Sequence, residues 1–260
     1  MQLKIYQVDA FTQVLFGGNP AAVIPLTEWV GDELLQKIAE ENNLSETAFF
    51  VPEGDGFRLR WLTPTVEVPL CGHATLASAH VIFEHLPYDK EEIIFHTKSG
   101  VLKVKKDNGR LSLDFPKATL QQLDTNVFPA GLVGDNLIEL WEGNGKWLAV
   151  VEEEDFVRKF IPNFQVIGDL PCFGLILTAK GKEVDFVSRF FTPQNGINED
   201  PVTGGAHCVL TPYWANVLGK NELHALQVSK RGGELWCKNL EERVVMQGHA
   251  ITYLVGDCWV

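Results

Sequence analysis

Apolar and polar residues alternate with a period of two along most of the chain, which predicts short strands with one buried face. Segments 4–11 (KIYQVDAF), 46–52 and 56–64 read this way; in the last, Phe57, Leu59 and Trp61 alternate with Arg58 and Arg60. A Gly/Pro loop at 16–20 leads into a strand over 21–25. Between them the period changes. Leu34, Leu35, Ile38 and Ala39 recur at helical spacing inside 27–44, with acids near the start. Residues 73–86 are apolar all round, which predicts a buried helix. Residues 93–116 read as two or three antiparallel strands with a hairpin turn at Asn108-Gly109. Alternation lapses over 116–131, the expected linker. Strands follow at 137–142, 146–152, 173–179 and 184–191, then a second buried helix over 204–218 in which Pro212 predicts a kink or a late start. The last strands are expected at 225–229, 234–238, 242–247 and 249–256.

One stretch occurs twice. RWLTPTVEVPLCGHATLASAH (60–80) matches RFFTPQNGINEDPVTGGAHCV (189–209): Arg, two apolar residues, Thr-Pro, an acidic loop, then Gly-x-Ala at the mouth of an apolar helix. Gly72 aligns with Gly204 and Ala74 with Ala206; the second loop is three residues longer. The expected fold is α+β: two similar halves, each a curved, mostly antiparallel sheet around one central helix. Residues 1–116, joined by the last strand at about 249–260, form the first half and 117–248 the second, with the active site in the cleft between them. A helix entrance presents N–H groups without intrahelical partners, and these attract anions. Two matched entrances point to a small carboxylate-bearing metabolite.

Composition narrows the classes. The chain has 260 residues, 45% hydrophobic, with a formal net charge of −12 and no basic stripe, which argues against nucleic acid and anionic membranes as partners. No run approaches the ~20 apolar residues of a membrane span, and the N-terminus has no secretory apolar core. Five scattered cysteines without C-x-x-C predict reduced thiols in the cytoplasm.

No metal-binding spacing is present; a zinc site would need scattered ligands such as Cys71, His73, His207 and Cys208. Cys71, beside a helix mouth, is either a proton-transfer thiol or a small buried side chain. Its counterpart by the repeat is Thr203, so a two-thiol racemase is not expected. Glu46 lies between a helix and an apolar strand, where a carboxylate can have a raised pKa and exchange protons near neutrality. Asp200, with Glu199 before the second helix mouth, is either a helix cap or a group that orients His73 or a substrate amine.

Together VDAFT (8–12), GGNPAAV (17–23), NLSETAF (43–49), CGHATLASAH (71–80), SRFFTP (188–193), GINEDPVTG (196–204) and RGG (231–233) resemble the PhzF-like, phenazine biosynthesis-type isomerases over the whole chain. The resemblance implies the diaminopimelate epimerase-like fold, a cytoplasmic homodimer, and acid–base catalysis without metal or organic cofactor. In PhzF itself a glutamate shuttles a proton during isomerisation of a dihydro-hydroxyanthranilate. Residue by residue it implies Glu46 as acid and base, His73 and Asp200 as catalytic partners, and Asn19 as a substrate-binding position; the helix-mouth reading adds the N–H groups of Gly72, Gly204 and Gly205. Pro201 stands where related epimerases carry their second cysteine, and Gly205 stands where the family often has serine. The expected function is therefore a cofactor-independent isomerase. A one-thiol epimerase or dehydratase, and a non-catalytic metabolite-binding protein, are the alternatives.

Overall fold

The computed structural model describes residues 1–260. In chain order the elements are β1 (Gln2–Ala10), β2 (Asn19–Pro25), α1 (Asp32–Asn42), β3 (Glu46–Glu53), β4 (Gly56–Leu62), β5 (Glu67–Val68), α2 (Gly72–His85), β6 (Glu92–Thr97), β7 (Gly100–Asp107) and β8 (Arg110–Pro116). Then come β9 (Gln121–Leu123), β10 (Leu137–Gly143), β11 (Lys146–Val151), α3 (Glu154–Lys159), α4 (Phe164–Gly168), β12 (Gly174–Lys180), β13 (Phe186–Thr192), β14 (Ile197–Asp200) and α5 (Gly204–Leu218). The chain ends with β15 (Glu222–Gln227), β16 (Gly233–Asn239), β17 (Arg243–Gly248) and β18 (Ala250–Trp259). It divides into two compact units, Met1–Asp114 with Gln247–Val260, and Phe115–Met246. No helix is long and apolar enough to cross a membrane.

In the first unit β1 lies antiparallel to both β18 and β2, β2 runs parallel to β3, β3 antiparallel to β4, β4 parallel to β6, and β6 antiparallel to β7. The short β5 returns antiparallel along β4, pairing Trp61 with Val68 and Leu62 with Glu67. The second unit repeats this plan. There β10 is antiparallel to β9 and β11, β11 parallel to β12, β12 antiparallel to β13, β13 parallel to β15, and β15 antiparallel to β16. β14 returns along β13, pairing Phe190 with Asp200 and Phe191 with Glu199. The repeat read in the sequence is thus one topology used twice, in the same register.

Each unit wraps its sheet around a buried helix. Residues 73–79 of α2 are all buried, and α5 buries Gly204 and every residue from Ala206 to Thr211. The amphipathic α1 covers other sheet residues of the first unit through Leu35, Ile38 and Ala39, packed with Ile24, Phe49 and Leu62. Val157 of α3 and Ile167 of α4 do the same in the second unit, against Ala149, Leu177 and Val187.

The structure corrects three expectations about elements. The segment 116–131 contains β9, which pairs with β10, and a 3-10 turn at Thr125–Val127. The helices α3 and α4 went unpredicted, because at 6 and 5 residues they are too short to show a helical period. Pro212 does not delay α5, which begins at Gly204. Proline removes the bond to the carbonyl four residues earlier; that carbonyl, Cys208 O, instead accepts the Ala118 N–H at 3.1 Å.

Candidate active site

In the first unit, three element starts meet. Gly18 holds φ +60°, and a Cβ there would lie 2.1 Å from the Ala10 carbonyl oxygen, so only glycine fits the turn that delivers Asn19 to the head of β2. Glu46 begins β3, parallel to β2 and in register with Ala21. Cys71 is the extended N-cap residue of α2, and His73 lies in its first turn.

These side chains form a chain of contacts around one imidazole. His73 Nε2 lies 3.1 Å from Glu46 Oε2. His73 Nδ1 lies 3.2 Å from Asn19 Nδ2 and 3.5 Å from Cys71 Sγ. All four groups are buried or nearly so: His73 is 5% exposed, and the Glu46 side chain 13%. Glu46 Oε2 and His73 Nε2 face each other without an aligned hydrogen bond to each other or to any other protein group. Burial opposes a charge on His73, but Cys71 when ionised and the Glu46 carboxylate outweigh it and hold the imidazole pKa above its ordinary value. Burial, then the nearby Glu46 carboxylate, pushes the Cys71 thiol up to about 11, so it is protonated at neutral pH. The Asn19 amide can turn either its N–H or its oxygen towards Nδ1 and so serve both charge states of the ring.

The second unit has its own matching helix mouth. Thr203 is the N-cap residue of α5, in the place of Cys71, and its side chain does not cap the helix. Its hydroxyl donates to Asp200 Oδ2 at 2.5 Å. Asp200 is therefore a strand residue bonded to the cap residue rather than itself the cap. The buried Gln227 braces this loop: Nε2 donates to Asp200 O at 2.7 Å, and Oε1 accepts the Thr203 N–H at 2.9 Å. Gly205 takes the place of His73. A Cβ there would meet only Lys146, with Cε at 3.8 Å and Nζ at 3.9 Å. Lys146 heads β11, at the register position of Ala21 in β2, and burial lowers its pKa. So the first unit gathers Asn19, Gly72, His73 and Glu46, and the second gathers Asp200, Gly204 and Gly205.

Sequence reasoning missed Gln227 and Lys146. It also left open what Glu199 does. Arg189 grips Glu199 with a two-pronged fork, Nε–Oε1 at 2.7 Å and Nη2–Oε2 at 2.8 Å, and Arg60 grips Glu67 identically at 3.0 and 2.9 Å. Glu199 is thus a structural clamp on its loop. The repeat alignment, which places Glu67 opposite Glu199, held that signal.

For metal, Glu46, Cys71 and His73 offer ligand atoms within 4.8 Å of one another. His207 and Cys208 do not join such a group: both are buried, and His207 Nδ1 donates to Thr203 O at 2.9 Å. His80 and His85 are structural, both meeting Thr252 Oγ1, at 2.9 and 2.7 Å.

Comparison with known proteins agrees with this plan. A family model described as "Phenazine biosynthesis-like protein" matches residues 8–256. The chain is 49% identical to an uncharacterized isomerase of Pseudomonas aeruginosa, over 98% of each sequence. It is 39% identical to the phenazine biosynthesis-like domain-containing protein of Homo sapiens, over 98% of this chain and 99% of that one. A solved phenazine biosynthesis protein of the PhzF family from Enterococcus faecalis matches with a TM-score of 0.97 at 42% identity, covering 100% of both chains. A hydroxyproline epimerase from Agrobacterium vitis matches with a TM-score of 0.63 at 10% identity, over 99% of this chain and 91% of that one, a likeness of fold alone. The α+β fold is of the diaminopimelate epimerase type, and the chain belongs to the phenazine biosynthesis-like, or PhzF-like, family.

Proposed function

We propose that this protein is an isomerase that shifts a proton on a small carboxylate-bearing substrate, with Glu46 as the group that takes the proton and returns it. The observation that carries the reading is the buried Glu46–His73 pair, 3.1 Å apart, with neither facing atom committed to an aligned hydrogen bond. Buried polar atoms are rarely left so, and a ligand would complete them. The names of the relatives support the reaction class: a protein 49% identical is called an isomerase.

In this proposal the Glu46 carboxylate removes a proton alpha or vinylogous to the substrate carboxylate. The C–H bond breaks, its electron pair moves into the conjugated carboxylate, and an O–H bond forms on Glu46. Return of that proton to another carbon gives the isomer, with atoms and electrons balanced and no co-reactant needed. His73, kept cationic by its neighbours, stabilises the carboxylate and shares the proton. Within the first unit, Asn19 and the N–H groups near Gly72 hold the substrate and its developing charge.

The test is proton exchange from solvent D2O into a panel of small unsaturated and amino carboxylates, read by NMR, for the wild type and Glu46→Gln. Exchange or isomerisation of at least one member is expected, with loss of about 10²-fold or more in the variant. Near-normal turnover by the variant would sink the assignment. A second reading, a one-thiol epimerase, is favoured by the 3.5 Å Cys71–His73 contact. It requires exchange to vanish in Cys71→Ser and to invert a stereocentre.

A further inference from the structure

We infer that Cys71 and His73 form a binding site for a thiophilic divalent cation of the zinc class, and that an ion held there shuts the site off. Zinc takes thiolate sulfur at about 2.3 Å and imidazole nitrogen at about 2.0–2.1 Å, so two tetrahedral ligands of these kinds stand roughly 3.5 Å apart. Cys71 Sγ and His73 Nδ1 are 3.5 Å apart. The spacing comes from the fold: the thiol leaves the N-cap residue of α2, and the imidazole leaves its first turn. On the far side of the ring, Glu46 Oε2 faces Nε2 at 3.1 Å. A carboxylate behind a ligating histidine orients the ring and raises its basicity towards metal. His73 is more than nine-tenths buried, and Glu46, Cys71 and His73 each offer a ligand atom, all within 4.8 Å of one another.

Binding is a proton-for-metal exchange. The Cys71 S–H proton and the Nδ1 proton of the imidazolium go to solvent as the S–metal and N–metal bonds form, and the Asn19 amide turns its oxygen towards the ion. Ligands must be deprotonated, so affinity rises with pH. The inhibitory consequence rests on the proposed function, because the ion ties up the imidazole that partners Glu46; the binding itself does not rest on it.

Cadmium chloride titrated into the metal-free full chain tests this, with thiolate-to-cadmium absorbance and calorimetry as readouts. One equivalent is expected to bind tightly, to be displaced by zinc chloride, and to weaken at least tenfold in Cys71→Ser and in His73→Gln. It is expected to survive a Cys172→Ser/Cys258→Ser double substitution, which removes the two partly exposed thiols. Glu46→Gln is expected to weaken binding about 10–100-fold, the usual cost of losing such a supporting group. Equal affinity and stoichiometry in wild type and Cys71→Ser, or loss of the equivalent in the double variant, would overturn the site. If Cys71→Ser fails to fold, histidine-labelled wild type decides: His73 ring signals that stay put on adding zinc chloride reject the proposal. Cadmium bound at Cys71 with exchange activity intact would overturn the inhibitory half alone. Absent exchange with binding intact would reject the glutamate reading and leave the site.

Discussion

His73 is pulled two ways, and the balance sets how the site should behave with pH. Burial opposes its charge, while Cys71 when ionised and the Glu46 carboxylate favour it and prevail. A raised pKa means the imidazolium is present below that pKa and lost as pH rises through it. The exchange rate is therefore expected to fall on the alkaline side, and this limb should disappear in His73→Gln; a profile identical in both proteins would contradict the role. Gly18→Ala is expected to displace Asn19, because the added Cβ would strike the Ala10 carbonyl at 2.1 Å in a left-handed turn. The cost should be about 1–3 kcal/mol in urea unfolding. At this scale Asn19, Glu46 and His73 were legible because their motifs resemble a family's. Lys146 and Gln227 were not, because a lone lysine and a lone glutamine in strands carry no signal until the strands are placed.

Strands and buried helices were legible because their apolar periods are long; α3, α4 and β9 were not, because each is shorter than the window a period needs. The forks between Arg60 and Glu67 and between Arg189 and Glu199 lock the return strands that lead into α2 and α5. Arg189 also donates to the Phe160 carbonyl at 2.6 Å, and its side chain is only 10% exposed. Arg189→Ala should therefore cost about 3–5 kcal/mol, since it leaves a carboxylate without its buried partner. Arg189→Lys should recover only part, because an ammonium cannot make the fork. Inside α5, burial lowers the pKa of His207 to about 4, against an ordinary value of 6.5. The unfolded chain then takes up the proton first, so stability is lost as pH falls between these values. At pH 5 this amounts to about 2 kcal/mol from His207. Urea midpoints at pH 7 and pH 5 check it, and His207→Gln should flatten the difference.

Across the whole molecule one plan is used twice with different chemistry at the equivalent positions. Where the first unit has Cys71 and His73 at its helix mouth, the second has Thr203 and Gly205; where the first has Ala21 in β2, the second has Lys146 in β11. The repeated topology was visible in the sequence because glycine, Thr-Pro and the Arg–Glu pair recur in order. The division of chemistry was half visible: the missing second thiol could be read, whereas the lysine beside Gly205 required the strands in place. On this account the ionisable work is concentrated in the first unit, and within it on one carboxylate. The most direct measurement is solvent deuterium exchange into the responsive carboxylate, compared between wild type and a folded Glu46→Gln variant. The account predicts exchange in the wild type and its loss by about 10²-fold or more in the variant, with the unfolding midpoint little changed. Exchange at a comparable rate in both proteins would contradict it.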